Sequence, residues 1–142
     1  MNNNEEIKRL SDIAEDVLYS EGFNGRLMYY RYLTLQNYFK GSTALELGCA
    51  DGLTTQMLVK HFKKVVAVDG SAKFCKIVRS KINVNNLKVI CSLIENLKLN
   101  EKFDTIIMMH ILEHVKDPVL ICREAKNYLK NGGVILIDVP QC

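Results

Sequence analysis

Three clusters in this chain combine residue types that can do chemistry: Glu46 to Gly52, Asp69 to Ser71, and Met109 to His114. The first reads Thr43-Ala44-Leu45-Glu46-Leu47-Gly48-Cys49-Ala50-Asp51-Gly52, an apolar run that carries an acid and breaks at a pair of glycines. A helical pattern follows, and then Val65-Val66-Ala67-Val68-Asp69, a second apolar run that also ends in an acid. This order reads as strand, tight turn, helix and strand, one βαβ unit with a nucleoside-sized site at its carboxyl edge. Glycine brings φ freedom and close backbone approach, and a carboxylate after the second strand can hold two ribose hydroxyls. The chain is therefore expected to bind an adenosine-containing ligand.

Asp51 and Gly52 open the helix of that unit, where free N–H groups and the helix dipole favour a carboxylate. Asp69 precedes Gly70 and Ser71. A helix cap is the competing role for Asp69, but Ser71 can cap the next helix and leave the acid free for the ribose. In the third cluster His110 and His114 are four apart, and share a face if the segment is a helical turn. His-Ile-Leu-Glu-His lacks the His-Glu-x-x-His order and no third ligand is evident, so no metal is expected. A general base near neutral pH is the functional reading of either histidine, and a structural histidine is the other.

The surrounding chain must position these groups. Its 142 residues, 48% of them hydrophobic, suit one compact domain, here 1–142. No apolar run approaches the roughly 20 residues of a membrane span, and the amino terminus is polar, which predicts a cytoplasmic protein. Cys49, Cys75, Cys91, Cys122 and Cys142 are scattered, without a Cys-x-x-Cys pair, so neither a disulfide framework nor zinc is indicated. A net charge of +3 does not by itself imply nucleic acid. Lysines around the second and third strands recur at helical spacing without interleaved aromatics, as on a solvated face; a face for an acidic partner is the alternative.

Two amphipathic helices come first. Ile7, Leu10, Ile13, Ala14, Val17 and Leu18 mark one that ends near Ser20 to Gly22, and a second runs from about Asn24 to Phe39. Strands are then predicted at 43–47, 64–69, 87–91, 103–109 and 133–139, with helices at 52–62, 71–82 and 117–130. The last helix has Asp117 as its N-cap, Pro118 in its first turn and Asn131-Gly132-Gly133 as its stop. Such alternation specifies an α/β, Rossmann-like doubly wound parallel sheet with right-handed crossovers, residues 1–40 forming a helical cap on a 43–142 core.

From about Thr43 to Pro140 the sequence resembles a class I S-adenosylmethionine-dependent methyltransferase. The motifs that carry the resemblance are ELGCADG, VVAVDGS, FDTIIMMHILEHVKDP and YLKNGGVILIDVP, in that order. The resemblance implies strand order 3-2-1-4-5 and S-adenosyl-L-methionine as cofactor, with S-adenosyl-L-homocysteine as product. It also implies transfer of a methyl group to an oxygen or nitrogen of a small molecule; the LEHV segment is most similar to the ubiquinone-biosynthesis-type branch. It assigns Glu46 to the cofactor's amino-acid end and Gly48, Cys49, Asp51 and Gly52 to the turn beside it. Ala50 stands where many members have glycine. Asp69, Gly70 and Ser71 take the ribose region, and Ser92, Leu93, Ile94 and Glu95 the adenine region, where Leu93 and Ile94 are equally readable as core. Met109 and His110 flank the methionine part, and His110 or His114 takes the acceptor's proton. Arg31, in a helix that also holds Met28 to Tyr32, is a candidate carboxylate contact in a lid.

Two rival classes remain at this stage. A nicotinamide-dependent oxidoreductase shares the βαβ logic but needs Gly-x-Gly-x-x-Gly, whereas three residues separate Gly48 from Gly52. A noncatalytic cofactor-binding module or partner subunit is the other, because the resemblance stops after the fifth strand, where complete members continue. The edge of that strand, Val134 to Val139, is expected to be covered by a second copy, a partner chain or the amino-terminal helices, or else to make the chain poorly soluble.

Overall fold

The computed structural model describes residues 3–16 and 21–140. Val17, Leu18, the expected helix end at Ser20, and Cys142 lie outside the described residues. Helices α1 (Asn3–Asp16) and α2 (Gly22–Leu35) precede β1 (Thr43–Leu47), α3 (Leu53–His61), β2 (Lys64–Asp69), α4 (Ala72–Lys81) and β3 (Leu87–Cys91). After β3 come β4 (Phe103–Met109), α5 (Pro118–Asn127) and β5 (Leu129–Asp138). The strands form one parallel sheet in the order β3-β2-β1-β4-β5.

Side chains alternate across the sheet, so each central strand feeds two cores. Leu45, Leu47, Val66, Val68, Ile106 and Met108 point to the face covered by Ile121 and Ala125 of α5. Ala44, Val65, Ile107 and Met109 point the other way, against Met28 and Tyr32 of α2 and Leu58 of α3. Val78 and Ile82 of α4 close the same side farther along, over Ala67. The helices therefore lie on both faces, as a doubly wound sheet requires.

β1 to β4 begin and end where the sequence places them, and the helices shift by a residue or two, apart from two departures. The expected helix 24–39 stops at Leu35 and tightens into a 3-10 turn over Gln36–Tyr38. The last helix ends at Asn127 with Tyr128 as its C-cap, not at Asn131-Gly132-Gly133. Those three residues lie inside β5, beside a register irregularity between Phe103 and Thr105. Gly132 takes φ +74°, and a Cβ at Gly133 would sit 2.8 Å from the Asp104 carbonyl oxygen. The glycines accommodate a bulged strand start rather than a helix stop.

β5 is the last strand of the sheet, with Ile137 and Val139 exposed. At its tip Arg31 Nη1 of α2 donates to Asp138 Oδ2 at 2.5 Å and to the Val139 carbonyl at 3.4 Å.

Candidate functional site

The carboxyl ends of β1, β2 and β4 open into one cleft. From the first cluster Glu46, Gly48, Cys49 and Asp51 line it; from the second, Asp69 and Gly70; from the loop after β3, Leu93, Ile94 and Glu95; from the third, Met109, His110 and His114. Gly52, Ser71 and Ser92 stand behind this wall. Gly52 is the left-handed N-cap of α3, Ser71 is buried and caps α4 by accepting from the Phe74 N–H, and Ser92 N–H donates to the Asp69 carbonyl at 2.9 Å.

The turn after β1 is bent by left-handed residues: Gly48 at φ +83°, Ala50 at 44° and Gly52 at +87°. The φ of Gly48 favours glycine, and a Cβ there would also push against Ile111, whose Cδ1 lies 2.8 Å from that position. Ala50 pays a steric penalty in this region, and its N–H is held by Asp69 Oδ2 at 2.9 Å. The Gly48 and Cys49 N–H groups both donate to the Val68 carbonyl, at 2.8 and 3.1 Å, and fasten the turn to β2.

Glu46 and Asp69 are 3% and 8% exposed, although they face the cleft. Glu46 Oε2 accepts from the Thr55 hydroxyl at 2.6 Å, and burial, reinforced by the Asp69 charge, pushes its carboxyl up to about 8. Asp69 is also raised by burial, against the opposing pull of two backbone N–H donors, Ser71 at 2.8 Å and Ala50 at 2.9 Å. Ser71 caps α4 as expected, but Asp69 is not left free by it: each carboxylate oxygen already accepts one N–H. Each oxygen retains a further lone pair for a ligand. Cys49 is buried, and its thiol is raised well above its usual value by that burial.

At the end of β4, His110 is turned by φ 54° and its N–H bonds the Asp138 carbonyl at 2.8 Å. The helical turn expected to align the histidines spans only Leu112–His114, a 3-10 turn that His110 precedes. Both side chains still reach the cleft. His110 Nε2 lies 3.1 Å from Asp138 Oδ2 but out of hydrogen-bond alignment, so this buried nitrogen has no hydrogen-bond partner among the described residues. Its Nδ1 is 3.8 Å from Glu113 Oε1. His114 is more exposed, and its carbonyl accepts from Arg9 Nη2 at 2.9 Å.

Arg9 belongs to the contribution that sequence reasoning missed. Glu6, Arg9 and Leu10 of α1 line the cleft, so α1 is its cover, while α2 is largely a core helix whose Met28 alone reaches the cavity. Arg31 does contact a carboxylate, but that of Asp138. Gly70 leaves room for the cover: a Cβ there would lie 2.6 Å from Leu10 Cδ1 and 3.0 Å from Leu93 Cδ2. Thr54, whose hydroxyl lies 3.6 Å from Met109 Sδ, also lines the wall. An amphipathic helix with Leu10 on its apolar side looks like any packed helix, and its sequence does not say what that side rests on.

A five-stranded parallel sheet in this order, with an acid closing β2 and a glycine turn after β1, defines an α/β protein with a nucleotide-type cleft at its switch point. Residues 45–137 match the methyltransferase domain family model, and the chain belongs to that family. It is similar to the ubiquinone biosynthesis O-methyltransferase of Coxiella burnetii (strain Dugway 5J108-111), 31% identical, with 94% of this chain and 61% of that protein covered. The chain thus spans about three fifths of the length of that relative. Among solved structures it resembles the DhpI complex with S-adenosylhomocysteine (TM-score 0.78, 20% identity, 98% of this chain and 70% of the other). It also resembles the N-methyltransferase NodS of Bradyrhizobium japonicum with S-adenosyl-L-homocysteine (TM-score 0.77, 20% identity, 96% and 72%). At these identities the two structures speak for the fold.

Proposed function

We propose that the chain is the cofactor-binding part of an S-adenosyl-L-methionine-dependent methyltransferase acting on an oxygen or nitrogen of a small molecule. The observation that carries this reading is the pair of buried acids, Glu46 and Asp69, on either side of a turn whose left-handed backbone favours glycine at Gly48. The residues fit the cofactor. Asp69 has the lone pairs for ribose hydroxyls, Glu46 offers a carboxyl that an ammonium would draw into its ionised form, and Leu93 and Ile94 give an apolar face for adenine. The family membership and the names of the relatives support the same choice over a nicotinamide enzyme or a noncatalytic module.

The bound cofactor supplies an activated methyl group. What remains for this chain is alignment and proton removal, and alignment can contribute most of the rate. Met109 and the turn hold one side of the reacting centre, and α1 with Arg9 and Leu10 excludes water from the other. His110 is the proton acceptor we favour over His114, because it is the less exposed and stands beside Asp138, which stabilises the imidazolium once formed. Residues 1–142 act as one unit, with 1–40 as cap and 43–142 as core, and the outer side of β5 is the surface offered to a second copy or partner chain. No described helix is long and apolar enough to cross a membrane, and we place the protein in the cytoplasm.

Parallel calorimetric titrations with S-adenosylmethionine, S-adenosylhomocysteine and NAD test the reading. Binding of the two sulfur ligands and not of NAD is expected; the reverse order overturns it.

A further inference from the structure

Outside the cleft's own chemistry, α4 and β3 bring two thiols together. Leu87 and Val89 of β3 pack toward Val78 and Ile82 of α4, and the period-two alternation of a strand puts Cys91 on that same side. Cys75 lies three residues before Val78 on the buried face of α4. Helix and strand run in opposite directions here, so Cys75 comes to the Cys91 end. Its Sγ is 3.8 Å from the carbonyl of Ile90, the residue preceding Cys91, and 3.5 Å from that of Asp69, the residue that pairs with Cys91 across the sheet. Arg79 fixes the pairing from one turn away by donating to the Val89 carbonyl at 2.9 Å.

Cys75 is fully buried and Cys91 is exposed on the edge strand. One thiol can therefore meet a reagent in solvent while the other waits behind it, the arrangement of an attacked and a resolving cysteine. We propose that Cys75 and Cys91 form a reversible intrachain disulfide when the protein meets a small-molecule disulfide oxidant such as oxidised glutathione. The Cys91 thiolate attacks one glutathione sulfur, forming a mixed disulfide and releasing one glutathione thiolate. The Cys75 thiolate then attacks the Cys91 sulfur, closing the Cys75–Cys91 bond and releasing the second. The cysteine pair loses two electrons and two protons, and the oxidant gains them as two molecules of reduced glutathione.

Closure is the slow step. Burial, with the nearby Cys91 charge second, pushes the Cys75 thiol up to about 12, and the mixed disulfide removes that second contribution. The bond would form directly behind Asp69. The Asp69 carbonyl is 3.5 Å from Cys75 Sγ, and Cys91 is its register partner on β3.

The test uses the full chain, first reduced, then incubated with oxidised glutathione, alkylated and mapped by mass spectrometry without reduction. The expected product is a peptide pair joined through Cys75 and Cys91 on a monomeric chain, reversed by dithiothreitol. Cys91→Ser, a change on an exposed edge that leaves the core intact, is expected to abolish both the linked pair and any oxidation at Cys75. Cys75→Ala is expected to stop at the Cys91–glutathione mixed disulfide. Persistence of that mixed disulfide in the unsubstituted chain overturns the proposal, as does pairing of Cys91 with Cys49, Cys122, Cys142 or a second chain.

Discussion

The two ends of the sheet use carboxylates in opposite ways. At the amino-terminal end, Asp104 accepts from the Ser42 and Thr43 N–H groups at 3.0 Å, from the Thr43 hydroxyl at 2.7 Å and from Lys130 Nζ at 3.1 Å. Those donors, the Thr43 hydroxyl first, hold its carboxyl well below the usual range. At the carboxyl-terminal end Glu46 and Asp69 are buried with one and two donors supplied by the fold, and burial raises both. Backbone strain divides the same way. Gly41, at φ +61° against Asp104, is a glycine, whereas the left-handed positions at the cleft include Ala50 and His110. The saturated, relaxed end has the arrangement of a structural anchor; the under-satisfied, strained end is the one at which we propose the cofactor binds.

The largest effects test the functional end. With an acceptor in hand, His110→Gln is expected to lower turnover by roughly 10²–10⁴-fold while leaving the S-adenosylhomocysteine dissociation constant near its original value. Full turnover would remove His110 as the base. Asp69→Ala is expected to weaken cofactor binding by roughly 1.5–3 kcal/mol, measured by calorimetry, and unchanged affinity would break the ribose assignment.

Asp104→Ala is the counterpart at the other end. It should cost roughly 1.5–3 kcal/mol of stability in denaturant titrations near neutral pH and leave ligand affinity alone. Because the folded pKa of Asp104 is depressed, its contribution is present above the unfolded value near 3.8 and is lost as pH falls through the folded one. Glu46 has the opposite sign. Its folded pKa is raised from 4.5 to about 8, so the folded state holds the extra proton between those values and stability declines as pH rises through them. Glu46→Gln should flatten that decline; a pH profile identical to that of the unsubstituted chain would mean that Glu46 is ionised in the fold.

The same contrast decides how much was legible in the sequence. β2 and the second half of β4 were readable because strands buried on both faces leave apolar runs with sharp ends, whereas β3, an edge strand, was readable from its β-branched and apolar run alone. Glu46, Gly48 and Asp69 were readable because an acid in or after such a run has few structural uses. Asn131-Gly132-Gly133 misled because a glycine pair signals a helix stop and a bulged strand start equally well, and only pairing with β4 decides between them. The cover formed by Glu6, Arg9 and Leu10 was invisible because a helix's local pattern shows which face is apolar and not what that face rests on. The engagement of Asp69 by Ala50 depends on a left-handed alanine, which no propensity suggests.

That alanine allows the smallest and sharpest test of the comparison. Left-handed backbone costs an L-residue roughly 1–2 kcal/mol, and glycine loses roughly 0.5–1 kcal/mol more in chain entropy than alanine on folding. Ala50→Gly is therefore expected to raise stability by roughly 0–1.5 kcal/mol without moving the donor N–H that meets Asp69. If strain at this turn preorganises the cleft, the same variant should bind S-adenosylhomocysteine somewhat less tightly, since the freed turn must be ordered by the ligand. A variant that is both more stable and tighter binding would show that the strain does nothing for the site, and the functional half of the contrast would then rest on the buried acids alone.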